Sequence, residues 1–236
     1  YSWATAAGML AVGLMAPLLG AAADHGRLKK PLLGAFMLLG VTCTAGLAAV
    51  GPGDWLVAVA LFVLANVGAS GSIVFSDSLL PHVAPRRDVD RVASGGFALG
   101  YLSGGLVLLL NLAWVRSPRT FGLPDAEAAL RLSFLTAAAW WLVFSLPVLR
   151  RVPEPPAALA AGELGLGHTA AALLRLRQTF RDLRRYRHLF LFLLAFLVYS
   201  DGIGTIVRMG TLYGTELGVP TDTLVGAVLL IQFLGV

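Results

Sequence analysis

The 236-residue chain is 57% hydrophobic and only 13% charged, with 18 Lys and Arg against 13 Asp and Glu and a single Cys. Soluble domains carry about 25% charged residues, and here the apolar residues come in blocks with a mean hydropathy of +0.79, which excludes a water-soluble globular domain. The formal charge of +5 falls between those blocks and in no aromatic-rich basic module, so the partner it implies is the lipid bilayer and not a nucleic acid.

A helix crosses the hydrocarbon core with about 20 apolar residues. In chain order such stretches are predicted at residues 3–22, 31–50, 55–77, 93–115, 132–149, 189–213 and 223–236. Tyr1 is not an initiator Met and Val236 lies inside an apolar run, so the chain is expected to be a piece of a longer one, truncated at both ends. The first stretch is long enough to span, and no secretory signal peptide is visible. The fold class expected is an all-α polytopic membrane protein.

Basic residues alternate between the connecting loops. Arg27, Lys29 and Lys30, then Arg86, Arg87 and Arg91, then the arginines of residues 150–188 fall on one side; Arg116, Arg119 and Arg131 fall on the other. The richer side is cytoplasmic by the positive-inside rule. Trp55 and Trp114 stand at span ends as interfacial aromatics, and Trp140 and Trp141 lie deeper as packing residues. Residues 150–188 begin as a proline-containing, Ala/Gly-rich linker and become periodic from His168. Leu173, Leu174, Leu176, Phe180 and Leu183 form an apolar side against Arg175, Arg177, Arg181, Arg184, Arg185 and Arg187. Such a helix is expected to lie along the membrane surface. The division predicted is residues 1–149 as one set of membrane helices, 150–188 as a central cytoplasmic loop, and 189–236 as the start of a second set.

The most specific motif is GAAADHGRLKK after the first stretch, carrying Gly20, Asp24, Gly26, Arg27, Lys29 and Lys30. Gly20 is expected to allow close helix approach, Asp24 to cap the next helix or pair with a base, and Gly26 to permit a tight turn. The pattern resembles the signature loop after the second helix of the major facilitator superfamily. That resemblance implies a major facilitator-type helical bundle of which the chain holds roughly helices two to eight. It also implies a gating role for Gly20, Asp24, Gly26 and Arg27. The segments FSDSLLPHVAPRRDVDRVASGGFALGYLSGGLVLLLNL and YSDGIGTIVRMGTLYGTELG resemble the autophagy-type vacuolar effluxer branch and its bacterial relatives. The chain departs from that branch at Asp77, where Asn is expected, and at Gly95 and Gly96, near which a basic residue is expected.

Ionisable groups inside spans are costly and mark function by default. Asp201 and Arg208 are the clear examples, seven residues apart and so about 10 Å along one face of a helix. They are the candidate substrate or proton-binding pair, Arg208 for a carboxylate and Asp201 for an amine or a coupling proton, unless each pairs with another helix. Gly202 and Gly204 allow the helix to bend there. Tyr199, Asn66 and Asn111, with Ser70 and Ser200, are polar span residues suited either to line the same cavity or to bridge helices. Gly96, Gly100, Gly104 and Gly105 make a small-residue face for a packed helix. Asp77 reads as a cap or a partner of Arg86 or Arg87 at a span end, and Glu216 and Asp222 as solvated outer residues.

Neither metal nor cofactor is called for: the four His show no ligand spacing, and Cys43 is a lone buried thiol. Phosphate loops, H-E-x-x-H and G-x-S-x-G elbows are absent, leaving neither ATP-driven transport nor hydrolysis a motif, and the chain is not read as an enzyme. The expectation is a multi-pass secondary transporter of the bacterial plasma membrane. Through the family resemblance it exports amino acids or similar small polar solutes by alternating access, with a proton as candidate coupling partner. The alternatives are a drug or sugar permease and a nontransporting scaffold or sensor.

Overall fold

The computed structural model describes residues 2–85, 87–156 and 168–234; within its helices the side chains of residues 2–5, 9, 11, 168, 169, 171, 172, 180, 184 and 208 lie outside the description. The chain forms α1 (Ser2–Gly26), α2 (Lys29–Leu47), α3 (Trp55–Val83), α4 (Val89–Arg116), a short 3-10 turn (Pro118–Phe121), α5 (Ala126–Arg151), α6 (His168–Arg185), α7 (Arg187–Glu216) and α8 (Thr221–Leu234). Among the described residues six helices are long and apolar enough to cross a membrane, and α8 is a shorter apolar helix. Their outward faces are crowded with exposed Leu, Val, Ile and Phe, the surface a hydrocarbon solvent requires. The Ala/Gly-rich stretch of the linker and Arg86 fall outside the described residues.

Local sequence sets the helix ends. Asp125 caps α5, its carboxylate accepting from the Ala128 N–H at 2.8 Å, and Glu127 pairs with Arg131 one turn on. The α3 helix runs past the expected end at Asp77, through Pro81, to Val83. It stops because Ala84 precedes Pro85 and is held extended (φ −114°, ψ 142°). Asp77 is therefore inside a helix and caps nothing, and Arg87 pairs with Asp88.

The core is a seam of α2 against α3 and α5. Gly68 faces Gly40 so closely that a Cβ on Gly68 would strike the Gly40 backbone, and one on Gly71 would enter the Phe36 ring. Phe36 stacks on Phe75 with ring centroids 5.8 Å apart. Across the seam, the Trp141 indole fills the space beside Gly40, and Met37, Val41 and Ala138 are buried around it. Such contacts replace the hydrophobic drive that lipid does not supply between helices. A second buried cluster, Ala23, Leu33, Phe75 and Leu79, joins α1 to the seam at the arginine-rich side. Trp140 ties α5 to α4 by donating to Ser103 Oγ at 2.8 Å.

Two readings of small residues change. An added Cβ at Gly20 would meet nothing within 4 Å, so Gly20 is not a close-approach point among the described residues. Of the α4 glycines, Gly104 and Gly105 face α8, whereas Gly96 and Gly100 face open space. Gly68→Val is expected to lower the stability of the detergent-purified protein by about 1–3 kcal/mol through overpacking. Gly20→Ala should leave it unchanged or raise it by up to about 1 kcal/mol; thermal unfolding of the two variants beside wild type checks both.

Candidate functional site

The arginine-rich end of the bundle is organised by the turn between α1 and α2. The α1 helix closes with the Leu28 N–H on the Ala23 carbonyl at 3.1 Å, the bond of a Schellman turn, and Leu28 packs onto the Ala23 cluster. That turn needs one left-handed residue. It is Arg27 (φ 55°), not Gly26 as the sequence suggested. The matching turn after α7 uses Gly218 (φ 77°), with the Val219 N–H on the Gly214 carbonyl. A side chain in this region costs about 1–2 kcal/mol, so the α1 turn keeps an arginine at an energetic cost.

Asp24, one turn before, receives two cations: Lys29 Nζ at 2.9 Å and Arg175 of α6 at 3.6 Å. Both basic side chains are largely buried, and Lys29 Nζ also lies 3.5 Å from His82 Nε2 on α3. Asp24 does not cap α2. That role falls to Glu154, from the stretch after α5, whose carboxylate accepts the N–H groups of Lys29 and Lys30 at 2.9 and 2.8 Å. Its charge meets the positive end of the α2 dipole. The central loop thus grips the signature loop twice, through Glu154 and through Arg175. The α6 helix packs against α1, a placement that cationic periodicity alone did not indicate.

A cavity of about 800 Å³ lies between α3, α4 and α8. Its polar lining is Ser76 and Asp77 of α3, Tyr101 of α4 and Gln232 of α8, with Ile73, Leu80, Val92 and Phe97 as apolar wall. Gly96 and Gly100 lie on its α4 side, and the absence of side chains there makes the room. One turn further along α4 the space closes: Gln232 lies over Gly104 and the Phe233 ring over Gly105, 3.0 Å from where a Cβ would stand. At the far end of the same two helices, Arg116 pairs with Asp222. Asp222 is thus a bonded partner across α4 and α8, not merely a solvated residue.

Of the described side chains singled out as solute or proton binders, Asp201, Tyr199, Asn66 and Asn111, none is among the residues lining this cavity. Asp201 and Tyr199 are exposed on α7, which among the described residues touches only α6 and α8. Arg208 lies two turns beyond Asp201, and its side chain is outside the description. Asn66 donates to the Phe62 carbonyl of its own helix at 2.8 Å, and the Asn111 side-chain oxygen is enclosed with no hydrogen-bond partner among the described residues. The polar cavity residues not proposed as binders from the sequence are Ser76, Asp77, Tyr101 and Gln232. The signal available for Asp77 was its place in the first family-like segment.

Two family-like segments, a signature loop and a long helix-lined cavity agree with what the comparisons give. A model of the family described as vacuole effluxer Atg22 like matches residues 3–89 and 84–236. The chain belongs to this family. It is 34% identical over 214 residues to a Bacillus subtilis protein described as an uncharacterized MFS-type transporter, YxiO, covering 90% of this chain and 49% of that one. It is 27% identical over 262 residues to autophagy-related protein 22 of Coccidioides immitis, covering 85% and 42% respectively. The chain therefore spans about half the length of these relatives. No solved structure matches it. The fold is that of a helical membrane protein of the major facilitator type; the Bacillus relative is named a transporter and the family an effluxer, and neither description is that of an enzyme.

Removing the cap by Glu154→Ala should cost about 1–2 kcal/mol of stability, measured by thermal unfolding, while Glu154→Asp and Glu154→Gln recover part of it. For the outer pair, Arg116→Asp and Asp222→Arg should each destabilise. The double exchange should recover a coupling of about 0.2–1 kcal/mol that fades at high salt; a double-mutant cycle at low and high salt reads it.

Proposed function

We propose that this chain forms part of a secondary transporter that moves small polar solutes, amino acids foremost, by alternating access and in the direction of efflux. The observation that supports this best is the cavity of about 800 Å³ on the arginine-rich side of α3, α4 and α8, with α4 and α8 closed together beyond it. A space large enough for a small solute, narrowing where α8 lies over Gly104 and Gly105, is in keeping with an inward-facing carrier. The effluxer description of the family and the transporter name of the Bacillus relative point the same way. With a bacterial relative at 34% identity, the plasma membrane of a bacterium is the proposed location.

In this reading Asp24 and Arg27 belong to the gate. Their turn is gripped by Glu154 and Arg175, so a movement of the turn is felt by the central loop. Asp201 and Arg208 on α7, with Tyr199, Asn66 and Asn111, remain proposed contributors to solute or proton binding, since ionisable residues in a span are otherwise too costly to keep. A second reading, a permease for drug-like molecules, is favoured by the apolar cavity wall of Ile73, Leu80, Val92 and Phe97.

Uptake and efflux of a labelled amino-acid panel and of a lipophilic cation by vesicles holding the full-length protein separates the two. Movement of zwitterions, reduced at least about tenfold in Arg208→Ala and Asp201→Asn with membrane insertion intact, is the expected outcome. Movement of the lipophilic cation alone would favour the second reading, and movement of neither would remove transport from consideration.

A further inference from the structure

We propose that the cavity is a binding site for a protonated amine and that Asp77 is the residue that selects it; this rests on the transport reading and names the chemical class of solute. Among the described cavity-lining residues Asp77 carries the one group ionised at neutral pH, and none of them is a cation. The nearest basic residue described after α3, Arg87, is engaged by Asp88 at 3.3 Å. No described side chain bonds the Asp77 carboxylate: its hydrogen-bonding neighbour Ser78 turns back to the Phe75 carbonyl at 2.7 Å.

A carboxylate with no partner among the described residues, exposed to an open and mostly apolar cleft, sets the sign of the charge that cleft accepts. In such surroundings an ion pair with a bound ammonium is worth more than in water, and a bare anionic solute is repelled. Tyr101 and Gln232 add hydroxyl and amide groups able to take the remaining ammonium protons. The apolar wall of Ile73, Leu80, Val92 and Phe97 suits an aliphatic body behind the charged head. Helix geometry holds the carboxylate in place. Asp77 is nine residues after Gly68, so it points about 180° away from the Gly68–Gly40 seam. With Asp77 assigned to the amine, Asp201 is left for the coupling proton.

The test uses the purified full-length protein and a matched set of probes: leucine, its decarboxylated counterpart 3-methylbutylamine and its deaminated counterpart 4-methylpentanoate. The expected result is that leucine and the amine bind, the acid does not, and Asp77→Asn weakens both by about tenfold or more. Asp77→Glu should retain part of the binding, and both variants should unfold at the wild-type temperature. Gly100→Leu, which places a side chain in the same cavity, should weaken leucine and the amine together.

Binding of the acid as tightly as the amine, amine binding unchanged in Asp77→Asn, or no binding of any of the three by wild type would each overturn the proposal. So would an Asp77→Asn protein that binds amines normally and loses only its response to a pH gradient. The two readings fail differently. Vesicle transport of other solutes unaffected by Asp77→Asn leaves the transporter standing without the amine site, whereas amine binding without any transport leaves the site standing without the transporter.

Discussion

The contact between Gly68 and Gly40 fixes more than the distance between two helices. A membrane helix is free to rotate about its axis until something gives that rotation a preferred value, and lipid supplies none. Backbone-to-backbone approach on one face of α3, continued by Gly71, Ser72, Phe75 and Leu79, sets it. The opposite face, with Ile73, Ser76, Asp77 and Leu80, is then turned toward α4 and α8. The cavity and its carboxylate are consequences of a glycine seam on the other side of the helix. Trp141, lodged beside Gly40, extends the same constraint to α5.

The turn between α1 and α2 shows how one short motif divides its work. Arg27 supplies a left-handed residue at a position where glycine would be cheaper, and Asp24 gathers cations from α2 and α6. The cap of α2 comes from outside the motif altogether, in Glu154. A helix N-terminus holds four unsatisfied N–H groups wherever it lies. When its own preceding residue is Leu28, which has no acceptor, a distant carboxylate takes the position.

What the sequence made legible was whatever depends on local composition. Apolar blocks located the spanning helices, with ends up to six residues off at α3 and α5, and the spacing of Gly20, Asp24, Gly26 and Arg27 with the two longer segments pointed to the family. What it hid depends on rotation and on pairing at long range. Asp77 read as a span end because hydropathy falls there, yet the helix continues to the residue before Pro85. Arg116 and Asp222 are separated by 106 residues and Lys30 and Glu154 by 124, and charge patterning in single loops carries no trace of either. Gly26 was chosen for the turn on intrinsic preference, and tertiary packing of Leu28 onto Ala23 moved the left-handed residue one place on.

The glycines of α4 have a mechanical consequence. Gly96, Gly100, Gly104 and Gly105 form a bare track along several turns of one helix, and α8 presses only on its outer part. A track without side chains has no teeth to lock a partner at one height, so the point of closest approach is able to roll along it while both helices stay straight. Rolled inward by one or two turns, the same surfaces would fill the space beside Asp77 and part at Gly104. One stretch of backbone would then serve as the fulcrum for both positions, and neither helix would need to bend.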